Sequence, residues 1–275
     1  MKKIKSQESG ARISEAVLIL CLVFLVPGSK KIFSDENLTP REIMQRVVDQ
    51  FRPDTEVQEI EMTLVDKDGR QWLRTGTFYN KKKTQKDDMR LFVFHSPPDL
   101  DKSGVLTIEN ISGEDDQWIY VPAYHTVRRI PPSSRGSQYM GTDFYYEDII
   151  TPRPEEYEYT ITGKEKFQGT ECTIINSIPV SDRLKKESGY GKIIAWVDEG
   201  KYVILKQELY NKNNELIKIL VNSGLKKYKN SYYWNHREML TIATGHKTII
   251  ENKKITIDEP LDDEIFTIRF LKRGK

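Results

Sequence analysis

The sequence predicts a mainly β (α+β) protein built on one meandering antiparallel sheet of about eleven strands. Apolar residues alternate with polar ones in short runs, as at Ile60, Met62 and Leu64. Turn signals such as "DKDG", "DEGK" and "NKNN" separate these runs at hairpin length. No helical spacers lie between the runs, which excludes alternating β-α units around a parallel sheet. The 275 residues allow two domains, but single all-β domains reach this size, and we expect one domain over residues 35–275.

The N-terminus has the pattern of a secretory signal peptide. Four basic residues precede an uninterrupted apolar run of 11 residues, 16–26, which small residues follow. The run is shorter than the roughly 20 residues that cross a bilayer. We therefore expect a signal peptide over residues 1–29, cleaved at Ser29 or Ser34, and a periplasmic protein. The alternative is an uncleaved segment that anchors the chain in the inner membrane, because no Ala-x-Ala cleavage site is present.

Charge and cysteine content narrow the function further. The chain carries a formal net charge of +2, and residues 1–29 hold four basic and two acidic side chains. The remainder is thus neutral and lacks the basic surface that nucleic-acid binding requires, so no nucleic-acid partner is expected. Beyond the apolar run Cys172 is the one cysteine, which leaves no internal disulfide for the exported chain.

One helix is clearly signalled before the strands. Thr39, Pro40 and Glu42 form a capping box with proline at the first helical position. Apolar residues then recur at helical spacing from Ile43 to Phe51, which predicts one buried stripe.

Several of the predicted strands are apolar on both faces. Phe92 and Phe94 point to one face and their aliphatic neighbours to the other, and Trp118 and Tyr120 repeat the pattern. The sheet is therefore covered on both sides or curls around a cavity. An ordinary packed core is the simpler alternative.

The segment 131–150 departs from the strand pattern. Prolines, serines and glycines at its start exclude a regular strand, yet Met140, Phe144 and Tyr145 make it apolar. Because loops rarely bury backbone, a loop this apolar is expected to pack over something, and it favours a covered cavity. The final stretch, 261–271, fits either a short helix or a last strand.

The sequence offers little that suggests catalysis. The four histidines are scattered, and the metal, nucleophile-elbow and phosphate-loop motifs are absent, so neither an enzyme nor a cofactor is expected. A Ser-x-x-Lys match at Ser223 would place its two side chains on opposite faces of a strand. The acidic cluster 114–116 fits a hydrolase carboxylate pair, but a solvated turn before a strand explains it better.

Three stretches together resemble the LolA-like family of outer membrane lipoprotein-sorting proteins. They are "VDKDGRQWLRTGTFYN", "RLFVFHSPPDLDKSGVLTIEN" and, as the most specific, "GEDDQWIYVPA…VRRI…SS…YMGTDFYYED". The resemblance implies a strongly curved, incomplete antiparallel β-barrel with helices covering the open side and an apolar cavity between them. It also implies a carrier of lipid or lipoprotein acyl chains, loaded by an inner-membrane transporter and unloaded at an outer-membrane acceptor. A non-transporting envelope sensor or adaptor on the same fold is the alternative.

Two groups of site residues follow from this interpretation. The predicted lipid-binding residues are the apolar side chains of the strands and the loop: Trp72, Phe78, Phe92, Phe94, Trp118, Tyr120, Met140, Phe144 and Tyr145. The second group would hold the loop closed. Arg128 and Arg129 point to opposite faces of a strand, and the inward one would bond polar loop residues, chosen from Ser133, Ser134, Asp143, Glu147 and Asp148.

Overall fold

The computed structural model describes residues 38–50, 52–229 and 231–273. The predicted signal peptide and Phe51 lie outside these residues, and the domain limits at 35 and 275 stay predictions. Three α-helices lie in the described residues: α1 (Pro40–Gln50), α2 (Asp182–Glu187) and α3 (Ile268–Arg273). The final stretch is therefore helical at its end, which decides between the two forms expected for it.

Thirteen strands form a single antiparallel sheet in the described part of the chain. They are β1 (Thr55–Val65), β2 (Gln71–Lys82), β3 (Asp88–Ser96), β4 (Gly104–Ile108), β5 (Asp116–Val121), β6 (Thr126–Arg129), β7 (Tyr157–Phe167), β8 (Thr170–Pro179), β9 (Lys192–Asp198), β10 (Val203–Tyr210), β11 (Leu216–Tyr228), β12 (Ser231–Thr241) and β13 (Lys247–Ile257). The predicted meander is confirmed, and the expected number of strands was slightly low. The four-residue β6 is too short to produce a recognisable alternation.

The strand order places two consecutive strands at opposite edges of the sheet. It runs β6-β5-β4-β3-β2-β1-β13-β12-β11-β10-β9-β8-β7, so two meanders are joined where β1 pairs with β13. The chain leaves one edge at Arg129 and enters the other at Tyr157. The connection between them, residues 130–156, must therefore cross the open side of the curved sheet. We call it the covering segment.

Helix α1 begins with the predicted capping box. The Thr39 backbone N–H donates to the Glu42 carboxylate at 2.7 Å, and the Glu42 N–H donates to Thr39 Oγ1 at 3.3 Å. The buried side of the helix, which includes Ile43 and Val47, packs against Ile175 and its neighbours on β8–β10. The helix thus covers the concave face near the β7 edge.

The opposite, convex face has its own apolar cover near the other edge. Phe266 and Leu271, from the C-terminal stretch, pack against Leu91 and Tyr120. The close approach depends on Gly104, where a Cβ would lie 2.7 Å from the Phe92 carbonyl oxygen and 3.0 Å from Leu271 Cδ1. The prediction that both faces of these strands are covered is consistent with this packing.

Candidate functional site

The concave face, α1 and the covering segment form a partly open cavity of about 460 Å³. Strands from both meanders contribute to its walls, which is possible because the sheet curves around it. The apolar part of the lining includes Ile60, Met62, Phe78, Phe92, Leu220 and Met239. The volume lies within the range of about 300–1,000 Å³ that is usual for small-molecule sites.

The covering segment contributes an aromatic cluster to the same space. Tyr139, Phe144 and Tyr146 are buried in the apolar cluster that also holds Phe92. Tyr139 and Tyr146 meet edge to face with ring centroids 5.3 Å apart. The sequence-based expectation that this apolar loop packs over something is consistent with these contacts.

One buried carboxylate fixes the middle of the covering segment. Asp143 is fully buried and accepts hydrogen bonds from Thr241 Oγ1 at 2.5 Å and Thr248 Oγ1 at 2.7 Å, while His246 Nδ1 lies 2.6 Å away. Its backbone carbonyl accepts from Lys218 Nζ, which also lies 3.4 Å from the centroid of the Tyr145 ring. Burial lowers the pKa of Lys218 to about 8. This attachment joins the segment to the β12–β13 hairpin.

A second attachment begins four residues further along. Glu147 accepts from Ser188 Oγ at 2.6 Å and from the Gly189 N–H at 2.8 Å. Asp148 accepts from the Tyr145 N–H at 2.7 Å and from the Tyr190 hydroxyl at 3.1 Å. Burial raises the pKa of both carboxyls, that of Glu147 to about 7. The segment is thereby joined to the loop between α2 and β9.

The predicted role of the arginine pair is not supported by its contacts. Arg129 Nη2 lies 2.7 Å from Asp116 Oδ1, and the Arg128 guanidinium lies over the Tyr124 ring at 5.6 Å. Both side chains are exposed, and among the described contacts neither bonds the covering segment. The reason is the position of β6 at the edge of the sheet, where both faces of the strand reach solvent. Asp143, Glu147 and Asp148 do hold the segment, but through other partners.

The predicted lipid-binding residues divide into three groups. Phe78, Phe92 and Phe144 line the cavity, and Phe94, Met140 and Tyr145 pack in the apolar cluster around it. Trp118 and Tyr120 lie on the convex face, and Trp72 is 49% exposed.

The register explains why Trp118 and Tyr120 were assigned to the wrong face. Phe92 pairs with Val105, and Val105 pairs with Ile119, so Ile119 shares the concave face with Phe92. Trp118, one residue earlier, must point away from it. Aromatic character alone does not show which face a strand residue occupies.

Among the residues that the structure describes, six arginines line the cavity, and no sequence pattern indicated any of them: Arg52, Arg90, Arg135, Arg153, Arg183 and Arg237. Arg52 and Arg90 each lie 2.7 Å from an oxygen of the buried Asp88, and Arg90 also bonds Glu109. Thr151 donates its N–H to Glu109 at 2.7 Å, which ties the end of the covering segment to this group.

A second charged group joins the covering segment to α2. Arg135 Nη1 lies 2.7 Å from Glu187, and Arg183 Nη2 lies 2.6 Å from Glu156. Asp115 is 3% exposed and pairs with Arg135 at 3.4 Å. It also pairs with Arg153.

The acidic cluster at 114–116 is therefore divided between two environments. Asp115 is buried in ion pairs, whereas Glu114 and Asp116 face outward toward Arg129. The solvated-turn interpretation was correct for the outer two residues and wrong for Asp115.

A further buried carboxyl, Glu56, lines the cavity on β1. Burial raises its pKa to about 7, although a hydrogen bond from Gln58 acts in the opposite direction. Among the described residues, no group of His, Cys, Asp and Glu side chains has the arrangement of a metal site. No described helix has the length and apolar character needed to cross a membrane.

Comparisons with known proteins agree with this architecture. A family model described as "Uncharacterized protein" matches residues 86–273. A solved domain from Vibrio parahaemolyticus, described as a putative outer membrane lipoprotein-sorting protein, is 27% identical, with a TM-score of 0.79 over 85% of this chain and 98% of its own. The chain belongs to the LolA-like family. No curated protein matches its sequence.

Two further structures have the same LolA-like fold. A DUF1329 family protein from Desulfovibrio piger is 26% identical, with a TM-score of 0.79 over 84% of this chain and 97% of its own. A LolA superfamily protein from Nitrosomonas europaea is 15% identical, with a TM-score of 0.67 over 85% of this chain and all of its own, and this likeness concerns the fold alone. The curved, open antiparallel sheet that the family resemblance implied is confirmed.

Proposed function

We propose that this LolA-like protein is a periplasmic carrier that binds acyl chains of lipids or lipoproteins and moves them toward the outer membrane. The observation that carries the proposal is the covered cavity of about 460 Å³ between the concave sheet and the covering segment, with apolar side chains on both walls. The description of the Vibrio relative as a lipoprotein-sorting domain supports the same interpretation. Loading by an inner-membrane transporter and delivery to an outer-membrane acceptor are part of the proposal.

The energetics of lipid transfer explain why such a cavity would be needed. Transfer of one methylene group from an apolar medium to water costs about 0.8 kcal/mol, so a chain of roughly fifteen costs on the order of 12 kcal/mol. A protein that encloses the chain removes most of this cost. It acts by binding and release, and the proposal includes no chemical step.

Lipid uptake by a cavity-blocking variant tests the proposal. Ile60 is partly buried and lines the cavity, so Ile60→Trp would fill the space that an acyl chain needs. The control is Ile161→Trp on the edge strand β7, where the isoleucine is 42% exposed. We expect the wild type and the control to take up a fluorescent acyl probe, and Ile60→Trp to bind it at least about tenfold more weakly.

The same protein should be purified from the cell envelope, extracted with organic solvent and analysed by mass spectrometry. Recovery of lipid from the wild type and its loss from Ile60→Trp are the expected results. If the wild type yields no lipid and takes up no probe, the carrier proposal is wrong. The sensor or adaptor on the same fold would then be the better description.

A further inference from the structure

The six arginines of the cavity differ in whether they contact a carboxylate. Five of them contact carboxylates, and the sixth, Arg237, does not. In the described part of the chain, its contacts are a hydrogen bond from Nε to Asn222 Oδ1 at 3.4 Å and a cation–π contact 5.6 Å from the Phe144 centroid. Both terminal Nη groups, which form the fork of the guanidinium, have no acceptor among these residues.

Arg237 is part-buried and has both polar and apolar neighbours in the sheet, with Asn222 opposite it on β11. It lies on the central strand β12, opposite Ile250 of β13, and Met239 follows it on the same face. Asp148 is the carboxylate whose field acts on it, but Asp148 is itself bonded to Tyr145 and Tyr190. Lys218 is the other cation whose field acts on Asp148, and its Nζ contacts a backbone carbonyl.

A part-buried guanidinium whose Nη groups have no acceptor in the described residues is available to a ligand in the cavity that it lines. Burial lowers the pKa of Arg237, and an arginine stays charged all the same. A cation that a bound ligand shields from water costs free energy unless it is paired and hydrogen-bonded. A ligand that brings an anion into the cavity would supply the missing partner, and its chain would contact the apolar walls.

We propose that Arg237 binds the anionic head group of the lipid, so that the cavity selects amphiphiles bearing a carboxylate or phosphate over uncharged ones. The planar fork of N–H donors matches both anions in bidentate geometry. This inference rests on the proposed function, since it names the chemical class of the lipid carried. It also places the head group inside the cavity, beside Phe144 of the covering segment.

The test compares three lipids that share one acyl chain: oleate, 1-oleoyl lysophosphatidate and uncharged monoolein. Each displaces an uncharged fluorescent acyl probe from the wild type, Arg237→Met and Arg237→Lys. We expect the wild type to bind the two anions at least about tenfold more tightly than monoolein, which corresponds to about 1.4 kcal/mol. Arg237→Met should lose this preference and keep its affinity for monoolein, while Arg237→Lys should retain part of it.

Two more measurements distinguish head-group binding from a structural role of Arg237 and from a site for free anions. Arg237→Met, which removes a part-buried cation without a carboxylate contact in the described residues, should unfold at no lower a temperature than the ligand-free wild type; a lower temperature would mean a structural role and overturn the inference. Inorganic phosphate should not displace the probe. Displacement would indicate a free-anion site and would also overturn it.

The inference and the carrier proposal fail in different ways. Equal affinity of the wild type for all three lipids, or a preference that survives in Arg237→Met, would overturn the head-group assignment and leave the carrier intact. If none of the lipids binds to the wild type or to either variant, the carrier proposal fails, and the head-group assignment fails with it.

Discussion

Two of the attachments of the covering segment, those at Asp143 and Glu147, use buried carboxylates in different surroundings. Asp143 is held by two threonine hydroxyls and a histidine of the β12–β13 hairpin. Glu147 is held by one serine hydroxyl and one backbone N–H of the loop after α2, and burial raises its pKa to about 7. Asp143 has more side-chain hydrogen-bond donors around it. Glu147 has fewer donors to stabilise its carboxylate when it is ionised. We infer that the Glu147 attachment is the one that weakens above neutral pH.

Loss of the Asp143 carboxylate should have the largest effect. Asp143→Ala leaves Thr241, Thr248 and His246 without this acceptor, and each unsatisfied group costs about 1–3 kcal/mol, which is at least about 3 kcal/mol for the three. We expect the free energy of unfolding to fall by about that amount. Urea denaturation measures it, and hydrogen exchange should show faster exchange over residues 139–149.

The control for this variant is Asp68→Ala, in the exposed turn between β1 and β2. It removes a carboxylate of the same size from a solvated ion pair and should change the stability by less than about 1 kcal/mol. Equal losses of unfolding free energy in the two variants would mean that Asp143 contributes no more to stability than an exposed carboxylate.

The Glu147 end should respond to pH. Below about pH 4.5 the carboxyl is protonated in the folded and the unfolded chain alike; between 4.5 and about 7 the unfolded chain loses the proton first. The contribution of Glu147 to stability therefore falls as the pH rises through this window, and the loss is complete above about pH 7. Glu147→Gln, whose amide can still bond Ser188 and Gly189, should stabilise the protein at pH 8 by about 1–3 kcal/mol.

The same variant should have no comparable effect at about pH 4, where the wild-type carboxyl is protonated. Thermal unfolding of both proteins across this range measures the difference. A constant difference at all pH values would contradict the assignment of the effect to ionisation.

The sheet was predictable because strand periodicity and turn residues are local properties of the chain. The alternation at Ile60, Met62 and Leu64 continues through β1, and the capping box at Thr39 opens α1 as expected. The edge strand β6 has four residues, too few for a period to show.

Most of the cavity lining was not predictable, because it depends on pairs that are distant along the chain. Arg135 meets Glu187 and Asp143 meets Thr248, and no local pattern links such positions. The face that Trp118 occupies depends on its register with Leu106 on the neighbouring strand. The register depends on how all the strands of the sheet pair, and the alternation within one strand does not determine it.

Removing a single hydroxyl group at each attachment should cause smaller losses of stability, and the sizes of the two losses compare the attachments. Thr248 donates to Asp143 and also accepts from the Asp143 N–H at 3.0 Å, so Thr248→Val removes two bonds at a buried site. Ser188→Ala removes the bond to Glu147 and the acceptor for the Tyr190 N–H. Each variant removes two bonds, but both bonds of Thr248 are buried and the bond from Ser188 to Glu147 is only part-buried, so we expect about 2 kcal/mol and about 1 kcal/mol of destabilisation, respectively. The reverse order in urea denaturation would contradict the comparison of the two ends.

The smallest effect is expected from the exposed arginines at the sheet edge. Arg129 pairs with Asp116 at 2.7 Å, but their side chains are 48% and 40% exposed, and exposed ion pairs contribute about 0–1 kcal/mol. Arg129→Gln and Arg128→Gln should each change the stability by less than about 0.5 kcal/mol. Hydrogen exchange over residues 131–148 should match the wild type in both variants, since neither side chain contacts that segment in the described residues. Faster exchange there, similar to that expected for Asp143→Ala, would mean that the arginine pair also attaches the covering segment.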